Sequence, residues 1–141
     1  MQIRLASVND LEALTALDTV ARHDDSRATQ IRNWVADQTC HAVEANGEIA
    51  AYGALHYHFF GCGFIELVMV KERFRRTGLG LALVNHLKSI CTHPKLFTST
   101  NSSNQAMQSL LKEAGFKESG YIENLDENDS ELVFYVDLRG S

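Results

Sequence analysis

The stretch from Phe64 to Ile90 constrains this chain more than any other. Phe64-Ile-Glu-Leu-Val-Met-Val70 is an apolar run broken by a single charge, Glu66. It reads as a strand covered on both faces. A basic loop follows, Lys71-Glu-Arg-Phe-Arg-Arg76. Gly78 and Gly80 then open a segment with Leu81, Leu83, Val84, Leu87 and Ile90 at helical spacing, which Pro94 prevents from extending. A helix start offers free N–H groups and the positive end of a dipole, so it is a ready anion site. Glycines at 78 and 80 would let a bulky anion approach the backbone, and Arg75 and Arg76 add charge beside it. A pyrophosphate suits that combination.

The loop excludes two common phosphate sites. It has no Gly-x-x-x-x-Gly-Lys-Ser/Thr for a nucleotide triphosphate, and no Gly-x-Gly-x-x-Gly follows a first strand. Charge supports a local site. The 141 residues carry 13 Lys+Arg and 18 Asp+Glu, a net charge of −5. Setting aside the four cations and Glu72 of the loop leaves 9 basic and 17 acidic residues, a net −8. An acidic body with one cationic segment does not suit general nucleic-acid binding.

The remaining chain reads as a single domain over 1–141. Ile3 and Leu5 alternate with polar neighbours as a short strand. Ser7 or Asn9 can cap a helix carrying Leu11, Leu14, Leu17 and Val20. After a polar break at 22–26, a second helix is expected over about 27–38, with Ile31, Trp34 and Val35 on one face. Asn46-Gly47 marks a hairpin between His41–Ala45 and a strand over 48–59. Phe60-Gly-Cys-Gly63 makes another tight connection. Leu96–Thr100 reads as a strand. Ser102 or Ser103 caps a helix that ends before Gly115. Phe116–Ile122 and Glu131–Leu138 are strands, with the acidic Glu123–Asp129 as a loop between them. The order is β-α-α-β-β-β-α-β-α-β-β, a mixed α/β or α+β fold. No apolar run is long enough for a membrane helix, and no signal-peptide core is visible, so a cytoplasmic protein is expected. Cys40, Cys62 and Cys91 form no metal or disulfide pattern. Cys62, between two glycines, is the one expected to be exposed.

The spacing Arg75-x-x-Gly78-x-Gly80, with Val70 five residues before the arginine, resembles the acyl-CoA pyrophosphate loop of the GNAT N-acetyltransferase superfamily. A second segment, Asn104 to Gly115-Phe116, resembles the later helix of that family. The order of the motifs and of the elements agrees along essentially the whole chain, as in small single-domain bacterial members.

The resemblance implies a mixed central sheet flanked by helices and transfer of an acetyl group from acetyl-CoA to an amine, by direct attack through a tetrahedral intermediate and without a metal. It implies that backbone groups of Val68, Met69 and Val70 meet the pantetheine arm, in a strand that is bulged and splayed from its neighbour. The pyrophosphate would sit on Arg75, Arg76, Thr77, Gly78, Leu79 and Gly80. Asn104 would contact the cofactor, with Asn101 a weaker candidate; either also suits a turn or cap. A backbone N–H freed by a bulge at Val68–Val70 would face the developing oxyanion. Glu66 is the candidate base, since a carboxylate in an apolar strand is costly without a task. Many members carry a tyrosine as general acid where this chain has Leu111; Tyr121 is a possible substitute.

His56 and His58 share one face of the preceding strand, and loop length alone decides whether they neighbour Glu66. His58 is a lesser candidate base. Asp24, Asp25, Glu123, Asp126, Glu127 and Asp129 would form an acidic rim suited to a cationic small-molecule or peptide amine. A homodimer through the late strands is compatible with the family. The alternative function is a non-catalytic acyl-CoA-binding or regulatory module.

Overall fold

A computed structural model describes residues 1–139. Seven strands form one sheet in the order β1-β2-β3-β4-β5-β7-β6. The strands are β1 (Gln2–Leu5), β2 (Cys40–Ala45), β3 (Glu48–Phe59), β4 (Cys62–Val70), β5 (Lys95–Asn101), β6 (Lys117–Asp126) and β7 (Asp129–Asp137). The helices are α1 (Leu11–Leu17), α2 (Asp25–Ala36), α3 (Leu79–Ile90) and α4 (Gln105–Glu113). Their order is the one expected from the sequence.

Alternation along the strands divides the core into two layers. Val43, Ala51, Ile65, Leu96 and Phe134 meet Leu83, Val84 and Leu87 of α3 and Leu111 of α4. Cys40, Ala42 and Tyr52 meet Leu14, Leu17 and Ile31 of α1 and α2. Asp18 is fully buried in this second layer. Its carboxylate accepts from the amides of Val20 and Ala21 at 2.8 and 3.1 Å, from Arg27 at 3.0 Å, and from the Tyr52 hydroxyl. These bonds tie the α1–α2 connection to the sheet. Burial, then the bond to Asp18, pushes the Tyr52 phenol far above its ordinary range.

Several boundaries differ from expectation. Helix α1 stops at Leu17, because Asp18 turns extended to accept the two amides beyond it; Val20 is half exposed outside the helix. Asp24 caps α2 through the Ser26 amide, so α2 begins inside the segment read as a polar break. Asn104, rather than Ser102 or Ser103, caps α4 by accepting from the Met107 amide at 3.1 Å. Ser102 and Ser103 instead bond Asp129. The acidic segment 123–129 is mostly strand: β6 continues to Asp126 and turns through Glu127-Asn128, with Asn128 at φ 58°. Every residue of β6 is exposed on this edge, so its charges stay solvated within a strand.

Candidate functional site

The only parallel pair among the described residues, β4 with β5, is matched for just Gly63↔Leu96, Phe64↔Phe97 and Ile65↔Thr98. Thr98 Oγ1 donates to the Ile65 carbonyl at 2.8 Å at the last matched pair. Beyond it the strands diverge, leaving Glu66 to Val70 without β5 partners. Val68 and Val70 pack toward α3 and α4, and Leu67 and Met69 toward α1 and α2.

The bulge in β4 falls at Glu66 and not at Val68–Val70. Leu55 pairs with Ile65 and Ala54 with Leu67, so Glu66 is the extra residue. The β3–β4 turn is Phe60-Gly61, both left-handed at φ 53° and 77°, and Cys62 already pairs with Phe59. Cys62 is half-buried rather than open to solvent. β3 takes three steps from Phe59 to His56 where β4 takes two from Cys62 to Phe64; this extra residue in β3 sets His56 opposite Phe64 and on the face of Glu66, and His56 Nε2 lies 3.0 Å from Glu66 Oε1. Glu66 is not buried as expected. Its side chain is 48% exposed, because the bulge turns it into a cleft.

That cleft encloses about 500 Å³ and is lined by His56, His58, Phe59, Phe64, Glu66 and Ser99, with Ile122, Leu125, Asp126, Glu131 and Val133 from the β6–β7 side. Ser99 and Glu66 each follow the last β4–β5 pair, so the cleft opens where the two strands part. Aromatic rings form one wall: Phe59 stacks on Phe64 at 4.6 Å and meets Phe97 at 5.3 Å. Three carboxylates face this space, each with a hydrogen-bond partner. Glu66 meets His56, Glu131 accepts from Ser99 Oγ at 2.7 Å, and Asp126 accepts from Asn101 Nδ2 at 2.8 Å. Among the described residues, no Lys or Arg lines the cleft. Asn101 is thereby engaged at the cleft. The ring carboxylates Glu131 and Asp126 were beyond sequence reasoning as a pair, since strand register alone brings them together.

The basic loop divides in two. Lys71 Nζ bonds Glu48 at 2.7 Å, and Arg73 also pairs with Glu48. Arg75 Nε donates to the Val70 carbonyl at 3.1 Å, and Arg76 has no carboxylate partner among the described residues. The concentrated cation at the helix start is thus Arg75 and Arg76. Arg76 and Gly78 are left-handed at φ 64° and 88°, a backbone that turns successive amides toward one side. The amides of Arg76 through Leu81 meet no backbone acceptor among the described residues, and the helix ladder starts with Ala82 donating to Gly78. The Thr77 hydroxyl donates to the Phe74 carbonyl.

The two glycines do different work. A Cβ on Gly78 would meet nothing, but its φ disfavours other residues. Gly80 is buried, and its Cβ would stand 3.0 Å from Leu110 Cδ1 and 3.6 Å from Val70 Cγ2. Its lack of a Cβ allows α3 to approach α4.

Leu111 is fully buried in the core. Tyr121 is 65% exposed on β6 and does not line the cleft. Among the described residues, no group of three or more His, Cys, Asp or Glu is placed to hold a metal ion.

The chain as a whole matches known proteins. The sequence model of the acetyltransferase (GNAT) family matches residues 8–116. A GNAT-family acetyltransferase structure from Bacillus cereus is 33% identical, with a TM-score of 0.91 and 96% of each chain covered. The ribosomal-protein-S18-alanine N-acetyltransferase of Escherichia coli is 19% identical, with a TM-score of 0.83, covering 97% of this chain and 93% of its own. The Salmonella typhimurium protein yncA, solved with its cofactor acetyl-CoA, is 19% identical, with a TM-score of 0.79, covering 100% of this chain and 95% of its own. The last two likenesses show the fold alone. No curated protein sequence matches the chain. The chain belongs to the GNAT acetyltransferase family.

Proposed function

We propose that this chain, as a single domain, transfers an acetyl group from acetyl-CoA to a primary amine on a cationic acceptor. The observation that carries this reading is the junction at Glu66. One strand joins a cleft of uncompensated carboxylates to a splay that ends at a helix start rich in free amides. The residues present fit acetyl-CoA: the amides of Arg76 through Leu81, with Arg75 and Arg76, suit a pyrophosphate, and the unpaired edge of Val68, Met69 and Val70 suits the amides of a pantetheine arm. When bound, acetyl-CoA supplies a thioester carbonyl as the electrophile. Glu66 takes one proton from the acceptor ammonium; the freed amine nitrogen adds to that carbonyl carbon, and as the tetrahedral intermediate collapses the C–S bond breaks and the second N–H proton passes to the departing sulfur. A thiolate with an ordinary pKa leaves without a strong acid, so the buried Leu111 is compatible with turnover. Asn104 has its Oδ1 committed to capping α4, which leaves its side-chain NH2 for a cofactor contact.

Glu66, Asp126 and Glu131 without a lining cation favour a positively charged acceptor, and Phe59, Phe64, Ile122, Leu125 and Val133 favour an apolar body beside the charge. Such an acceptor can be a small molecule or a peptide amine. We place the reaction in the cytoplasm, where the three free cysteines would stay reduced. A homodimer is proposed through the open edge at β6, which exposes Tyr121 and Leu125; sedimentation tests it.

The test is thiol release from acetyl-CoA across a panel of amines, wild type against Glu66→Gln. Turnover lost in the variant, with CoA affinity kept, supports the reading. Tight CoA binding without turnover of any amine would favour a second reading, a non-catalytic acyl-CoA-binding module, which the absence of a tyrosine at Leu111 motivates.

A further inference from the structure

His56 has two ring nitrogens, and both are engaged. Nδ1 accepts the backbone N–H of His58 at 3.1 Å. An accepting Nδ1 carries no proton, so the neutral ring holds its proton on Nε2. Nε2 is 3.0 Å from Glu66 Oε1, and the N–H therefore donates to the carboxylate. The ring is also fixed in plane, with His58 stacked at 5.4 Å and 25° and Phe64 at 5.5 Å and 35°. His56 thus has no free lone pair with which to accept a proton from an amine.

Glu66 needs such a partner. It is the unopposed residue of a bulge, with a side chain 48% exposed against 17% for His56. Without a fixed donor its carboxylate would sample several rotamers across the cleft mouth. Held at Oε1, it keeps Oε2 without a partner among the described residues.

We infer that His56 is a positioning residue: its Nε2–H holds Oε1 of Glu66 and leaves Oε2 as the oxygen that takes the acceptor's proton. This rests on the reading of Glu66 as base. The His58 amide fixes the His56 tautomer, and its ring stacks against that residue.

Two substitutions separate position from bulk. Gln places an N–H near where Nε2 stood, whereas the shorter Asn cannot reach Glu66. With acetyl-CoA and spermidine as the acceptor probe, His56→Asn is expected to lower kcat roughly 10- to 100-fold. KM for both substrates should stay within about twofold, and His56→Gln should recover most of the loss. Equal kcat in wild type and His56→Asn, with Glu66→Gln inactive, overturns this inference alone. Full activity in Glu66→Gln overturns the base reading beneath it. If spermidine is not turned over, long-range 1H–15N spectra of the full chain decide. The expected result is a His56 ring protonated at Nε2, whose Nε2 resonance moves in Glu66→Ala. A proton on Nδ1, or an Nε2 resonance unmoved by Glu66→Ala, overturns the inference.

Discussion

A Cβ on Gly80 would stand 3.0 Å from Leu110 Cδ1, within the contact between α3 and α4. That distance changes how the anion loop must be tested. Gly80→Asp would bring a carboxylate against an apolar, buried wall, and is expected to cost about 2 kcal/mol of stability. Loss of CoA binding in that variant would then mix disturbed α3–α4 packing with loss of the anion site. Arg76→Glu is the cleaner change, because Arg76 is exposed and has no side-chain partner among the described residues. It should leave the melting temperature within about 2 °C and weaken CoA by about tenfold in calorimetry. Unchanged affinity would remove Arg76 from the site.

Leu111 is fully enclosed by the α3–α4 layer. Leu111→Tyr therefore does not restore an acid cheaply. The larger ring must overpack the core, or its hydroxyl must be buried, at about 1–3 kcal/mol. A lowered melting temperature with no gain in thiol release is expected. A higher kcat at wild-type stability would show that a phenol from this position reaches the leaving sulfur.

How much of this was legible beforehand follows from the range of each signal. The β4–loop–α3 unit was legible because local signals agree there: an apolar strand, left-handed and glycine-permissive positions, and a helical stripe lie within one contiguous segment. The meeting of His56 with Glu66 was not. It depends on a left-handed Phe60, which composition does not favour, and on one extra residue in β3 between His56 and Phe59; without that residue the register would slip by one and turn His56 to the other face. The acidic run 123–129 misled for a related reason. Charge signals solvent, and an edge strand is solvated, so β6 and a loop have the same composition. The packing role of Gly80 was hidden because its partner, Leu110, lies thirty residues away in sequence.

Arg4 joins Asp10 at 2.8 Å and Glu44 at 2.7 Å, fastening the turn before α1 to β1 and β2. The Arg4 bond first, then the Ser7 amide, holds the Asp10 carboxyl down to about 2 against burial that opposes it. A depressed folded value stabilises above the unfolded value and loses that stability as pH falls through the folded one. The contribution, about 2 kcal/mol at neutral pH, should fade between about pH 5 and pH 2. Urea unfolding across that window should show a shallower acid slope in Asp10→Asn than in wild type. Identical slopes would mean that Arg4 and Asp10 do not interact in solution.

Glu131 and Asp126 reach the cleft from β7 and β6, opposite Glu66, and each already accepts one bond from a neutral donor, Ser99 or Asn101. A carboxylate so held keeps its charge oriented but not neutralised. Bringing an ammonium beside it gains Coulomb energy that an uncharged acceptor cannot gain. Glu131→Gln and Asp126→Asn keep shape and lose charge. Each is expected to raise KM for a dicationic or polycationic amine by about five- to tenfold while leaving KM for acetyl-CoA unchanged. A monoamine with no second charge should respond less. Salt should narrow the difference between wild type and variants, since exposed charges are screened over about 8 Å at physiological ionic strength. Equal KM values for mono- and polyamines in wild type and in both variants would mean that the acidic lining does not select the acceptor.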